Sequence, residues 1–284
     1  MYKRQIQGFA ETAVVDIDTP YGKPSDVITV GELLEVPVAF LPRHGRGHRV
    51  NPTELPFRAN IYALKTLGVK RIVSVSAVGS LQAEYEPQHV VVPDQLIDRT
   101  RGRPITFFDE GVVVHTAFAE PYCPVLGRAV WEAASRETTA HRGGACVVIE
   151  GPQFSTRAES ELFRSWGAAI IGMTALPEAR LAREAEMCYA TLALVTDYDT
   201  WHETEEQVSV ELVVQNLLKN VDASRRVVRS LATGIPSERN CGCASALENA
   251  IITSPDLIGN ETRARLSALI GRYLEPHGGV DAQT

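Results

Sequence analysis

The chain has 284 residues, of which 44% are hydrophobic and 22% charged, and its formal net charge is −7 at pH 7. That composition suits a globular protein with a buried core, and the acidic balance argues against a nucleic-acid binder, which carries a basic excess or stripe. No apolar run approaches the ~18 residues that span a bilayer, no apolar signal segment follows the basic start Met1–Gln5, and five scattered cysteines are no disulfide scaffold.

In chain order, the first buried strand is expected at Val36–Leu41, and the loop Arg43-His44-Gly45-Arg46-Gly47-His48-Arg49 follows it directly. Such a run of cationic and titratable side chains at a strand end suits an anion, because arginine's planar fork grips phosphate oxygens in pairs. A solvated basic turn is the plainer reading. A helix is expected over Glu54–Leu67, stopped by Gly68, and then a strand over Arg71–Ser76. The small residues Ser76-Ala77-Val78-Gly79-Ser80 read as a turn whose backbone N–H groups can approach a ligand, a weak signal by itself.

A strand at His89–Val92, a helix over Pro124–Arg136 and a strand at Cys146–Glu150 come next. Runs such as VVV and CVVI fit strands covered on both faces. The segment Glu150–Glu159 reads as a helix start capped by Ser155, leading into a helix over Thr156–Trp166. A strand at Ala168–Ile171, a helix over Leu176–Glu186 with Pro177 near its start, and a strand at Tyr189–Thr196 complete the alternation.

That last strand runs into Thr196-Asp197-Tyr198-Asp199, whose carboxylates at i and i+2 of an extended segment point the same way. Acid catalysis, metal binding and helix capping are all open to them, although no His or Cys stands at zinc-ligand spacing nearby. The long periodic stretch Glu206–Leu231 places Val208, Leu212, Val213 and Leu217 on one side of a helix.

Strands alternating with helices predict one α/β domain over 11–233, a mixed and largely parallel sheet flanked by helices. Residues 234–274 read as a helical appendage of the same domain, with helices at Ala244–Thr253 and Asn260–Tyr273, and 275–284 as a disordered tail. Cys241-Gly242-Cys243 reads as a redox pair or as two half-buried thiols at a helix start. Cytoplasmic location is the expectation.

Taken in order, DTPYGKPSD (Asp18–Asp26), LPRHGRGH (Leu41–His48), SAVGSL (Ser76–Leu81), DQLIDRT (Asp94–Thr100) and AEPYCP (Ala119–Pro124) resemble the trimeric purine nucleoside phosphorylase family. EGPQFSTRAES (Glu150–Ser160), GMTALPEARLAREA (Gly172–Ala185) and TDYDTW (Thr196–Trp201) extend the resemblance, which spans roughly Val15 to Leu231. The nearest pattern is that of members cleaving 5′-methylthioadenosine with phosphate. The resemblance implies phosphate held by Arg43, His44, Ser76, the backbone of Ala77, and Thr174. It implies a purine against Phe154, with Ser155, Asp197 and Asp199 at its polar edge, and Met173 under the ribose. Val210, Val213 and Val214 would line the pocket for the 5′ substituent, and His115 would serve the site of a neighbour in a homotrimer. Phosphate is then a co-substrate, and neither a metal nor an organic cofactor is expected.

Family members that take 6-oxopurines carry Glu in place of Ser155 and Asn in place of Asp199. A serine hydroxyl can donate toward adenine N1, and a carboxylate can accept from the 6-amino group but faces O6 of an oxopurine as acceptor against acceptor. An unpaired buried group costs about 1–3 kcal/mol, enough to favour adenine. Asp197, if protonated, would donate to purine N7 as the glycosidic bond breaks. Valines at the 5′ end favour methylthio over hydroxyl.

Two departures from the pattern matter. Only 17 residues precede Asp18, so the family's opening strand and its Gly-rich phosphate turn are expected to be missing, and Gly172 stands where some relatives have Asn. The alternatives are a 6-oxopurine or methylthioinosine phosphorylase, a hydrolase, and a nucleoside-binding chain whose catalysis is impaired by the missing loop.

Overall fold

The structure, a computed structural model, describes residues 6–202 and 210–274. It opens with a small antiparallel sheet of three strands, β1 (Phe9–Val15), β2 (Ile28–Leu33) and β3 (Val36–Phe40), paired in the order β1-β2-β3. The chain then alternates through α1 (Phe57–Thr66), β4 (Arg71–Ser80), β5 (Val90–Val92), β6 (Gln95–Arg99), α2 (Pro124–Ser135), β7 (Ala140–Arg142) and β8 (Ala145–Ile149). It continues through α3 (Arg157–Ser165), β9 (Ile170–Gly172), α4 (Ala175–Glu184), β10 (Cys188–Asp197), α5 (Val210–Gly234), α6 (Asn260–Arg265) and α7 (Ser267–Leu274).

Seven strands form the main sheet in the order β6-β8-β9-β4-β10-β5-β7. The β10–β4, β5–β7, β6–β8 and β8–β9 pairs are parallel, and β10–β5 and β4–β9 antiparallel, so the expected mixed sheet is there. Every residue of β10 is buried, as its unbroken apolar sequence CYATLALV requires. Its side chains divide by the period of two. Tyr189, Ala193 and Val195 join one core with α1 and α4, while Cys188, Ala190, Leu192 and Leu194 join another with α2 and α5.

Several local expectations need correction. Ser76–Ser80 is strand rather than turn: β4 stays paired with β10 from Arg71 through Gly79, and a ten-residue partner carries it past the small residues. The cap of α3 is Thr156, not Ser155, in a reciprocal capping box with Glu159. Ala244–Thr253 is no α-helix; a short 3₁₀ helix over Gly242–Ser245 and turns take its place. The segment is pinned instead by tertiary contacts, since Leu247, Ala250, Ile258, Leu266, Leu269 and Ile270 enter the first core. Glu186 fixes it as well, accepting from Leu247 N–H at 3.2 Å, Tyr273 hydroxyl at 2.6 Å and Arg272 at 2.7 Å.

Along its other edge β4 meets β9 only at Gly79 and Ser80, so among the described residues Arg71–Val78 have no strand partner on that flank. The start of the long helix expected from Glu206, and the expected disordered tail, lie outside the described residues.

Candidate active site

The carboxyl ends of β4 and β10 lie side by side, with Val195 opposite Val78 and Asp197 opposite Gly79. Open α/β sheets collect ligands at such ends. On the β4 side, Ser76 is a hub. Arg43 donates to its Oγ at 2.8 Å and to Ser74 Oγ at 2.7 Å, and Thr174 Oγ1 is 3.4 Å away. The structure therefore brings together three of the residues expected at phosphate.

Arg43 is oriented by Glu178, whose carboxylate receives Nη1 at 2.9 and 3.1 Å and the Tyr189 hydroxyl at 2.8 Å. Its Nε is buried with no hydrogen-bond partner. A buried guanidinium donor without an acceptor is costly.

His44 lies in the turn after β3, its ring stacked on His48 with centroids 4.3 Å apart and its Nδ1 2.9 Å from the Val50 carbonyl. Burial pushes its pKa down to about 4, with the Arg43 charge acting the same way. The ring is neutral at pH 7, and with Nδ1–H given to Val50 its Nε2 is an acceptor, fit for the P–OH of hydrogen phosphate. Ala77 lies inside β4, opposite Leu194.

The acidic pair closes the other side. Asp197 and Asp199 are buried. Their convergence does not come from strand alternation, because Asp199 sits at φ +50°. That left-handed turn brings its N–H onto Asp197 Oδ1 at 2.8 Å, while Thr196 donates to Asp197 Oδ2 at 2.7 Å. Burial raises the Asp197 pKa to about 6, helped by the Asp199 charge and opposed by those two hydrogen bonds. Gly79 makes room for the pair: a Cβ there would stand 2.9 Å from Asp197 Oδ1 and 3.3 Å from Asp199 Cβ.

Ser155 donates to the Asp199 carboxylate at 2.7 Å. Its single proton is thereby used on Asp199, so in this state it orients the acceptor rather than donating to a base. Phe154 beside it is exposed. Met173 packs against Gly151, whose φ is +68° and where a Cβ would meet Met173 Sδ at 2.5 Å.

At the start of α5, Val210 and Val214 are exposed and Val213 is half-buried. His115 is exposed, and its N–H bonds Ala250 O at 2.8 Å.

The phosphorylase superfamily model matches residues 4–233, most of the chain. The chain belongs to that superfamily. Its sequence is 51% identical over 272 residues to an S-methyl-5′-thioadenosine phosphorylase of Geobacter sulfurreducens, covering 95% of both chains. It is 54% identical over 261 residues to one of Chloroflexus aurantiacus, covering 91% of each. Its fold superposes on a crystal structure of methylthioadenosine phosphorylase from an Antarctic soil metagenomic library with a TM-score of 0.89 at 50% identity, over 93% of this chain and 94% of that one.

Sequence reasoning missed five side chains that support this site. Glu178 lies within the GMTALPEARLAREA motif, and Tyr189 reads from sequence only as a strand residue. Asn216 and Asn220 reach from α5 to the Thr196 and Val195 carbonyls at 2.7 and 3.0 Å. Two buried amides one helical turn apart were the available signal. Arg103 bonds Glu150 Oε1, Met173 O and Leu176 O, each at 2.7 Å, joining the loop before Phe154 to the segment carrying Met173 and Thr174.

Proposed function

We propose that the chain cleaves 5′-methylthioadenosine with inorganic phosphate, giving adenine and 5-methylthioribose 1-phosphate. One observation carries the reading. Ser76, with Arg43 and Thr174, and Gly79, with Asp197 and Asp199, sit three residues apart on β4, about 10 Å of strand. That separation spans a ribose, with an anion site at one end and a pair of carboxyls at the other. The names of the relatives support the same substrate.

In this reading the purine stacks on Phe154, its 6-amino group donates to Asp199, and its N7 faces Asp197. As the N9–C1′ bond breaks, its electrons pass to the purine and the sugar gains oxocarbenium character. Asp197 gives its proton to N7. A phosphate oxygen forms the new bond to C1′, and the proton that phosphate loses restores Asp197. At pH 7 a carboxyl of pKa about 6 is mostly ionised, and purine binding raises it further by excluding water. Arg43, Ser76 and Thr174 supply donors to phosphate and His44 an acceptor. No cofactor enters the scheme.

The 5′ group is methylthio because Val210, Val213 and Val214 offer no hydroxyl partner. Those valines are partly open in the single chain, and a homotrimer in which the His115 segment of a neighbour closes them completes the site. The free cysteines fit a reducing cytoplasm.

Initial rates with methylthioadenosine, adenosine and methylthioinosine test the specificity. The reading expects the order methylthioadenosine, adenosine, methylthioinosine, and faster cleavage of the inosine compound would overturn it.

A further inference from the structure

Far from the reaction site, the fold gathers four of the five cysteines from three places in the chain. Cys123 caps α2, accepting from Leu126 N–H. Cys188 opens β10, and Cys241 and Cys243 flank Gly242 at the 3₁₀ helix. Their sulfurs all lie within 4.8 Å of one another, three of the residues buried and Cys241 half-buried.

The spacing fits a shared ion. Cys188 Sγ and Cys241 Sγ are 3.5 Å apart. A tetrahedral centre with bonds of ~2.3 Å has sulfur–sulfur edges of roughly 3.8 Å, whereas a disulfide needs ~2.05 Å. A cavity of about 10 Å³ is lined by Cys123, Cys188 and Cys241 together with Arg71 and Arg239, room for about one atom-sized guest. Both arginines are held by backbone carbonyls, Arg71 by Pro236 and Glu238 and Arg239 by Glu186, at 2.7–2.8 Å. Four thiolates around a divalent ion carry two net negative charges, and two guanidinium groups line the same cavity.

We propose that Cys123, Cys188, Cys241 and Cys243 form a structural site for a thiophilic divalent metal ion, zinc by preference, tying the C-terminal segment to the sheet. Thiolate donors select such ions. Binding forms four metal–sulfur bonds and releases the four thiol protons to solvent. Four protein ligands leave no open position for substrate, and Cys188 and Asp197 stand at opposite ends of β10, about 30 Å of strand apart. The ion therefore stabilises the fold without touching the chemistry.

Elemental analysis of the full chain, purified reduced and without chelator, should find about one zinc per chain. Titrating the reduced metal-free chain with cobalt(II) should give sulfur-to-cobalt charge-transfer absorption and intense tetrahedral ligand-field bands. Cys241→Ser and Cys243→Ser should each weaken zinc binding by more than the ~10–100-fold that losing an outer-shell partner costs, while Cys146→Ser changes nothing. A reduced wild-type chain that takes up neither ion overturns the proposal. So does a metal-free isolate in which thiol counting finds these cysteines paired as disulfides. The wild-type titration decides the matter even if a variant fails to fold.

Discussion

Asp199 is a carboxylate held in a left-handed turn, receiving the Ser155 hydroxyl at 2.7 Å. Its proposed task is to accept from a 6-amino group. Asp199→Asn should move the ratio of adenosine to inosine turnover toward inosine by at least about tenfold, since an amide can donate to O6, and an unchanged ratio would remove Asp199 from the base site. Asp197 is the acid in the scheme, and the sign of its pH dependence follows. A carboxyl raised to about 6 is protonated below that pH and loses its proton above it. At saturating phosphate, kcat/KM should fall as pH rises through about 6, and Asp197→Asn should abolish that limb and cost about 10²–10⁴ in rate. A profile for the variant that keeps the limb would assign it to another group. The residue types were legible in TDYD, because two acids ending an apolar strand are conspicuous. Their geometry was not, because a positive φ at a non-glycine residue leaves no mark in the sequence. Nor could the sequence show that the single proton of Ser155 is already given to Asp199.

At the scale of elements, β4 and β10 carry the proposed site and α5 holds the end of β10. Gly79→Ala brings a Cβ to 2.9 Å from Asp197 Oδ1. The carboxyl must shift, and a displacement of ~1 Å can cost about a hundredfold in rate. Circular dichroism should show the fold retained, and near-normal activity would show that the close approach is immaterial. Asn216→Ala removes the amide from the Thr196 carbonyl, which should cost about 1–3 kcal/mol in urea unfolding. The buried strands were legible, because β10 and β8 are largely apolar runs, and α2 was legible from its Ala-rich amphipathic pattern. β1 was not, since FAETAVV is largely exposed and carries a bulge between Glu11 and Ala13. β6 and β7 exist because neighbours pair with them, a tertiary effect. The Ser76–Ser80 segment has turn-like composition, and its parallel partner overrides it.

For the whole molecule, one domain leaves Val210 and Val214 exposed at the start of α5. Light scattering of the purified chain should give a trimer. His115→Ala should raise KM for methylthioadenosine without changing KM for phosphate, and an active monomer would contradict both expectations. The four-cysteine cluster was the least legible feature at this scale. Cys188 and Cys241 are 53 residues apart, and only the folded sheet brings them together. In the proposed reaction phosphate, not water, attacks the anomeric carbon. The direct measurement is mass spectrometry of the sugar released from methylthioadenosine with and without phosphate. The expected result is 5-methylthioribose 1-phosphate in equal amount to adenine, and negligible cleavage when phosphate is omitted. Free methylthioribose formed at the same rate in either case would contradict it.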